Sequence, residues 1–149
     1  MRQPRWAAQM YKIVVDTNVI VSALRSRRGA SFAILQRIGQ AWQPLISVPL
    51  ILEYEAVGKR EAERLGIPLS TVDAIVRAFC FHGRETNVHF RVRPFLPDPG
   101  DEFLLELAVA GAADAIVTHN VRHFAGVERF GVRVLTPREL LRKIEEEGP

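Results

Sequence analysis

The feature that most constrains the fold is the apolar run Ile13-Val14-Val15 and the acid Asp16 that ends it. Because every residue of the run is apolar, rather than every second one, it predicts a strand covered on both faces, as in a parallel sheet. Asp16 then lies where the strand stops, and open α/β sheets bind their ligands at the carboxyl ends of strands. Asp is also a favoured helix N-cap, so capping is an equally good interpretation of Asp16 taken alone.

The composition is that of one globular domain, with 149 residues, 48% of them apolar and 25% charged. We expect this domain to span residues 11–149, after a flexible N-terminal tail at 1–10 in which Met10 is a candidate for the native start. The tail lacks the apolar centre of a signal peptide, and no apolar run approaches the ~18 residues that a membrane helix needs. The single cysteine, Cys80, is interpreted as a half-buried structural thiol, and a reducing cytoplasm is the expected location.

Strand and helix signals alternate along the chain, which predicts a single α/β domain with a mostly parallel central sheet of about five strands flanked by helices. After the first strand, further strands are predicted at 44–48, 87–92, 115–118 and 132–135. Between and after them, helices are predicted to start near Phe32, at Pro49, at a capping box from Ser70, at Asp101 and at the Thr136-Pro137 cap. Three prolines and a glycine make residues 93–100 a loop.

The net charge of +3 permits a polyanionic partner without requiring one. Arg25, Arg27 and Arg28 cluster after the first predicted helix, where they are candidates for contacting an RNA backbone. The alternative is that these arginines form a solvated face, which is the commoner role of such a cluster.

Three acids can meet at one edge of the predicted sheet. Asp16 ends the first strand, Glu53 lies about one turn into the helix after the second, and Asp101 starts the helix before the fourth. Three carboxylates would repel one another without a counter-charge, so we expect a divalent cation between them. Oxygen ligands alone suit Mg²⁺ or Mn²⁺ rather than zinc.

Four short motifs surround these acids, namely Val14-Val15-Asp16-Thr17-Asn18-Val19, Leu52-Glu53-Tyr54-Glu55, Asp98-Pro99-Gly100-Asp101-Glu102 with Leu105-Glu106-Leu107-Ala108, and Ile116-Val117-Thr118-His119-Asn120. Their order and spacing resemble the PIN domain, from about Tyr11 to Leu141. The resemblance is closest to the bacterial and archaeal PIN proteins classed as toxins of toxin–antitoxin pairs, the VapC type.

The resemblance implies an endoribonuclease that depends on Mg²⁺ or Mn²⁺. The positions carried over are Asp16, Glu53 and Asp101 as catalytic and metal-binding acids, with Asn18, Thr118, Asn120 and Asp98 as supporting residues. Asn120 stands where many members have a fourth acid, which leaves open whether one metal ion or two would bind.

The resemblance also implies partners: an RNA substrate, a cognate antitoxin protein and a second copy of the chain in a homodimer. Apolar residues left over from the inward faces of two helices are candidates for a shared patch between the copies. These residues are Leu50, Ile51, Leu69 and Phe81.

Several alternatives remain at this point. A degenerate PIN module could bind RNA or a protein partner without cutting, an interpretation that only Asn120 favours, and a DNA nuclease of the same fold is another. His119 and His123 have the four-residue spacing of zinc ligands, although no third His or Cys lies nearby. An aspartyl-phosphate hydrolase would need a second Asp where Asn18 stands. Glu102 is interpreted as a solvent-facing helix charge.

Overall fold

The protein is seen in a computed structural model that describes residues 10–88 and 95–147. Five strands form one sheet in the order β3-β2-β1-β4-β5, and every neighbouring pair is parallel. The strands are Tyr11–Val15 (β1), Trp42–Ile46 (β2), Arg84–Glu85 (β3), Ala115–Val117 (β4) and Arg133–Leu135 (β5). The predicted single α/β domain with a five-stranded parallel sheet is therefore confirmed. The tail predicted from the sequence lies, up to residue 9, outside the described residues.

Helices flank this sheet. They are Thr17–Arg25 (α1), Ala30–Leu35 (α2), Val48–Leu65 (α3), Leu69–His82 (α4), Pro99–Ala110 (α5) and Pro137–Glu147 (α6), with 3₁₀ helices at Val121–Phe124 and Val127–Phe130. Within the described residues, no helix is long and apolar enough to span a membrane.

The central strand β1 lies between β2 and β4, and its residues Ile13, Val14 and Val15 have no exposed surface. Burial on both faces is what their unbroken apolar run predicts. The chain builds β2 and β3 on one side of β1 and then returns to add β4 and β5 on the other side. The strand order thus reverses between β1 and β4, and the crevice at the carboxyl ends of two such strands is where open α/β sheets bind ligands.

Two strands differ from their predicted positions. The second begins at Trp42 rather than Pro44, because Trp42 is already paired with Tyr11 of β1. The Trp42 side chain is fully buried, and its indole N–H donates a 2.8 Å hydrogen bond to the carbonyl of Ile34. The third is the short pair Arg84–Glu85, which pairs with β2 directly after α4 ends, so the prediction at 87–92 is wrong in position. Residues 89–92 of that prediction lie outside the described residues.

Helix starts follow local capping chemistry where the sequence provides it. Ser47 caps α3 by accepting the N–H of Leu50, with Pro49 in the first turn as predicted. At α6, the N–H of Thr136 donates to Glu139 and the N–H of Glu139 donates to the Thr136 hydroxyl, which confirms the predicted capping box. The capping box predicted at Ser70 is wrong: α4 begins at Leu69 after Pro68, and no described side chain caps it.

Helix α3 buries a face that the sequence did not identify. Its buried residues recur every four positions, as Leu50, Tyr54, Gly58 and Ala62. Leu50 is fully buried, so its prediction as part of an exposed patch is wrong, whereas Leu52 is 60% exposed. Cys80 is also exposed rather than half-buried.

Candidate active site

Asp16 connects the carboxyl ends of β1 and β4. It is the N-cap of α1, and its Oδ1 accepts the N–H of Asn18 at 3.5 Å. Its Oδ2 accepts the hydroxyl of Thr118 at 2.9 Å and the side-chain amide of Asn18 at 3.3 Å. The capping role and the functional role expected of Asp16 are therefore compatible, because Oδ1 caps the helix while Oδ2 accepts side-chain hydrogen bonds from Asn18 of α1 and from Thr118 after β4.

The supporting residues form a network around that oxygen. The Asn18 amide also donates to the Thr118 hydroxyl at 3.3 Å, and Asn18 Oδ1 accepts the N–H of His119 at 3.3 Å. Thr118 is fully buried and its hydroxyl accepts a third contact, from the N–H of Asn120 at 3.0 Å. The structure thus brings Asn18 and Thr118 to Asp16. Asn120 contacts this network through its backbone N–H, and the residue itself is exposed.

Glu53 reaches the same edge from α3. Its Oε2 accepts a hydrogen bond from the hydroxyl of Thr17, a buried residue of α1. The next residue, Tyr54, is fully buried and donates its hydroxyl to the carbonyl of Val15, which fixes α3 against the end of β1. Sequence reasoning missed both Thr17 and Tyr54, although each lies directly beside a predicted acid in its motif.

The two acids of the loop and α5 have different roles. Asp98 is exposed and caps α5, accepting the N–H of Gly100 at 2.8 Å. The prediction that Asp101 opens this helix is therefore wrong: Asp101 lies one turn later, because Pro99 occupies the first helical position. Only 15% of the Asp101 side chain is exposed, and its Oδ2 is buried with no hydrogen-bond partner among the described residues. His123 Nδ1 is 3.5 Å from that oxygen.

Negative charge converges on this edge. Burial raises the pKa of Asp16, and the charge of Glu53 raises it further, against the lowering effect of the hydrogen bonds from Thr118 and Asn18. Burial also raises the pKa of Asp101, with added repulsion from Asp98 and Asp16 and a smaller lowering effect of His123. Burial, Asp16 and Glu53 raise the pKa of the Tyr54 hydroxyl. Negative charge therefore exceeds positive charge at this edge, where His123 is the basic side chain that contacts Asp101.

A divalent cation fits this chemistry. It would satisfy the orphaned Oδ2 of Asp101 and offset the repulsion between Asp101 and Asp16. Across residues 10–88 and 95–147, no three side chains among His, Cys, Asp and Glu lie close enough together to hold an ion on their own. Mg²⁺ is commonly held by one or two carboxylates and completed by water and substrate phosphate, which matches a pair of acids at this edge.

The two histidines of the zinc alternative have separate contacts. His119 Nε2 lies 3.0 Å from the hydroxyl of the buried Ser31, in α2, whereas His123 faces Asp101. In the part of the chain that the structure describes, these histidines therefore share only their sequence spacing with a zinc-binding pair.

The basic cluster after α1 is not uniform. The guanidinium of Arg25 lies 3.0 Å from Glu61, in α3, and that carboxylate is also paired with Arg64. Hydrogen bonds from Arg64 and Arg25 lower the pKa of Glu61. Arg27 and Arg28 are exposed beside Arg25.

A sequence comparison with protein families matches residues 12–122 to the PIN domain, a span that contains all four motifs. None of the curated proteins compared with the chain matches it.

Proposed function

Because the chain belongs to the PIN domain family, whose members are in general metal-dependent nucleases, we propose that it is an endoribonuclease dependent on Mg²⁺ or Mn²⁺. The observation that carries this proposal is the buried Oδ2 of Asp101, which has no hydrogen-bond partner among the described residues and lies close enough to Asp16 that the two charges repel. Its contact with His123 Nδ1 is long, at 3.5 Å. An uncompensated buried carboxylate oxygen is costly, and a cation at this edge would compensate it.

Asp16 and Asp101 are the proposed ligands of the cation. Asp16 is fixed by Thr118 and Asn18, so it gives a bound cation a rigid anchor. Asp101 would be the second direct ligand. When bound, the ion polarises a phosphodiester oxygen and makes a coordinated water a stronger nucleophile.

Glu53 or Asp101 would orient the attacking water and take its proton as the water oxygen bonds to phosphorus and the bond to the leaving oxygen breaks. Thr17 holds Glu53, so its proposed role depends on the position of α1 as well as of α3.

The finer parts of the proposal concern the partners. The motif resemblance favours RNA over DNA as substrate and a toxin of a toxin–antitoxin pair, with a cognate antitoxin protein, as the biological role. A homodimer is supported by exposed apolar side chains on α3 and α4. These are Val48, Leu52, Leu69 and Phe81. One observation favours a second candidate, an RNA-binding module that does not cut: Asn120 lacks the charge of the acid found there in many members.

Incubation of the purified protein with a mixed RNA pool, in Mg²⁺, Mn²⁺ or EDTA, tests the proposal. We expect cleavage with either metal and none in EDTA, with single-stranded DNA of matched length left intact. The Asp101→Asn protein is the control for a contaminating nuclease. RNA binding without cleavage would identify the non-cutting module, and equal cleavage of DNA would identify a DNA nuclease.

A further inference from the structure

A cavity of about 390 Å³ opens directly beside Asp101. One wall is apolar and consists of Phe95, Leu96 and Pro97, while Arg122 and Asp101 lie on its polar side. Its volume is at the small end of the range for ligand pockets, roughly 300–1,000 Å³, so it suits one small group rather than an extended ligand. Because Asp101 belongs to both the cavity and the acidic edge, a ligand here is next to any phosphate held there.

Phe95 is held rigidly in this wall. Its ring meets Phe130 edge-on, with 5.1 Å between the ring centroids, and the guanidinium of Arg129 lies 5.4 Å from its centroid. Its backbone N–H donates a 3.1 Å hydrogen bond to Glu102 Oε2, so Glu102 is not the solvent-facing charge predicted from the sequence. An aromatic ring fixed by both its backbone and its neighbours is a preorganised stacking surface.

The charges of the cavity select what it can hold. Asp98 and Asp101 both line it and would repel a phosphate group, but they do not exclude a neutral ring. Arg122 and His123, which also line it, offer N–H groups to the carbonyl oxygens and ring nitrogens of a base. An apolar side chain of a protein partner would fill the apolar wall but leave those groups without partners.

We propose that this cavity binds one unpaired nucleobase of the RNA strand, stacked on Phe95, while the adjoining phosphate lies next to the cation that Asp16 and Asp101 would hold. This inference rests on the proposed function and adds to it a single-base binding site next to the cleaved bond. It predicts that the enzyme requires a base at one defined position beside the cut, and that this position must be single-stranded.

The test measures binding, so that it does not depend on cleavage. A labelled single-stranded RNA is titrated with the full-length protein in Ca²⁺, and an abasic site is moved through the RNA one position at a time. One abasic position should weaken binding by about fivefold to a hundredfold, the range for loss of one base–aromatic stack. That penalty should vanish in Phe95→Leu, which keeps apolar bulk but has no ring, and persist in Phe32→Leu, whose half-buried ring does not line the cavity.

A second variant guards against misfolding of Phe95→Leu. Ala125 is exposed at the cavity, and Ala125→Phe should fill the space and remove the same abasic penalty. An RNA in which no abasic position matters, or a penalty that persists in both cavity variants, would overturn the inference. Cleavage of long RNA by the wild-type protein is scored separately. Cleavage without an abasic penalty would refute the base-binding cavity but not the nuclease. An abasic penalty without cleavage would refute the nuclease but not the base-binding cavity.

Discussion

The hydroxyl of Thr118 donates a 2.9 Å hydrogen bond to Asp16 Oδ2 and thereby joins residues 102 positions apart in the chain. Thr118 directly follows β4 and Asp16 directly follows β1, so this bond connects the two strand ends between which the sheet order reverses. The orientation of the acid at the centre of the proposed site is therefore set by a strand remote from it in sequence.

The first prediction concerns Asp16 itself. Asp16→Asn removes the charge but keeps an oxygen that can accept the N–H of Asn18, and Asn is as good an N-cap as Asp. We expect RNA cleavage to fall by at least ~100-fold. The melting temperature should change little, because relief of the repulsion from Glu53 offsets the loss of the oxygen that accepts Thr118 and Asn18. Near-wild-type cleavage by a well-folded Asp16→Asn protein would refute the mechanism.

The second prediction separates Asp101 from Asp98. Asp101→Asn removes the charge of the orphaned carboxylate and should abolish most metal-dependent cleavage while leaving the melting temperature nearly unchanged. Asp98→Asn retains the cap and should cost much less activity, whereas Asp98→Ala should lose about 0.5–2 kcal/mol of stability with the cap. Kinetics and thermal melts of the three proteins provide the comparison. A greater loss of activity in Asp98→Asn than in Asp101→Asn would transfer the ligand role to Asp98.

The third prediction concerns pH and metal together. The folded-state pKa values of Asp16 and Asp101 are raised above 3.8, so the metal-free folded protein binds protons more tightly than the unfolded chain. Without metal, these two groups therefore make unfolding easier as pH rises through their raised pKa values, and their effect is constant above them. Mn²⁺ requires the deprotonated acids, so its stabilising effect should be full at neutral pH and disappear as pH falls through the same window.

Thermal melts in Mn²⁺ and in EDTA measure this effect. At an ion concentration one hundred times the dissociation constant, the stabilisation is about 2.7 kcal/mol, which corresponds to a rise of about 5–10 °C for a domain of this size. The rise should be absent in Asp101→Asn. An equal rise in that variant would show that the ion binds elsewhere.

The sequence predicted those features of the site that depend on neighbouring residues and missed those that depend on contacts between residues far apart in the chain. Asp16 was identified because its strand, its position and its cap all lie within a few neighbouring residues. The buried face of α3 was not identified, because Leu50, Ile51 and Leu52 are all apolar. The sequence alone therefore does not show which of them faces the core. The hydroxyl of Tyr54 donates a hydrogen bond to the carbonyl of Val15, in a strand remote in sequence. This contact fixes which face of α3 is turned towards the sheet.

The loop before α5 shows a different limit. Asp98 and Asp101 are both acceptable caps, and the signal that distinguishes them was Pro99, which favours the first helical position. Strand β3 had no usable signal, because Arg84 and Glu85 are charged and exposed and become a strand only by pairing with β2. The pattern of residues therefore did not predict features that depend on contact with another strand or helix.

The fourth prediction concerns the basic cluster. Arg25 is paired with Glu61, so Arg27 and Arg28 should supply most of the RNA backbone contacts. Removing a phosphate contact reduces the slope of log affinity against log salt by about 0.7 for a single strand. The double variant Arg27→Ala/Arg28→Ala should therefore show a shallower salt dependence than Arg25→Ala. An unchanged slope in the double variant would identify the cluster as a solvated surface.

The fifth prediction concerns assembly. Phe81 is 81% exposed near the end of α4 and Leu52 is 60% exposed near the start of α3. We expect a dimer by light scattering at tens of micromolar, and a monomer after Leu52→Glu or Phe81→Glu. Leu65→Glu, at the opposite end of α3, is the matched control and should stay dimeric. A monomeric wild-type protein would remove the proposal of a homodimer.

The strand order has a consequence for when the protein can become active during its synthesis. The ribosome makes β1 and Asp16 near the start, but Thr118, which orients Asp16, emerges only after more than one hundred further residues. Until β4 pairs with β1, the anchor for the proposed ion is incomplete, so a growing chain on the ribosome would lack the assembled site. The proposed nuclease activity would then appear only after most of the domain has been translated and folded.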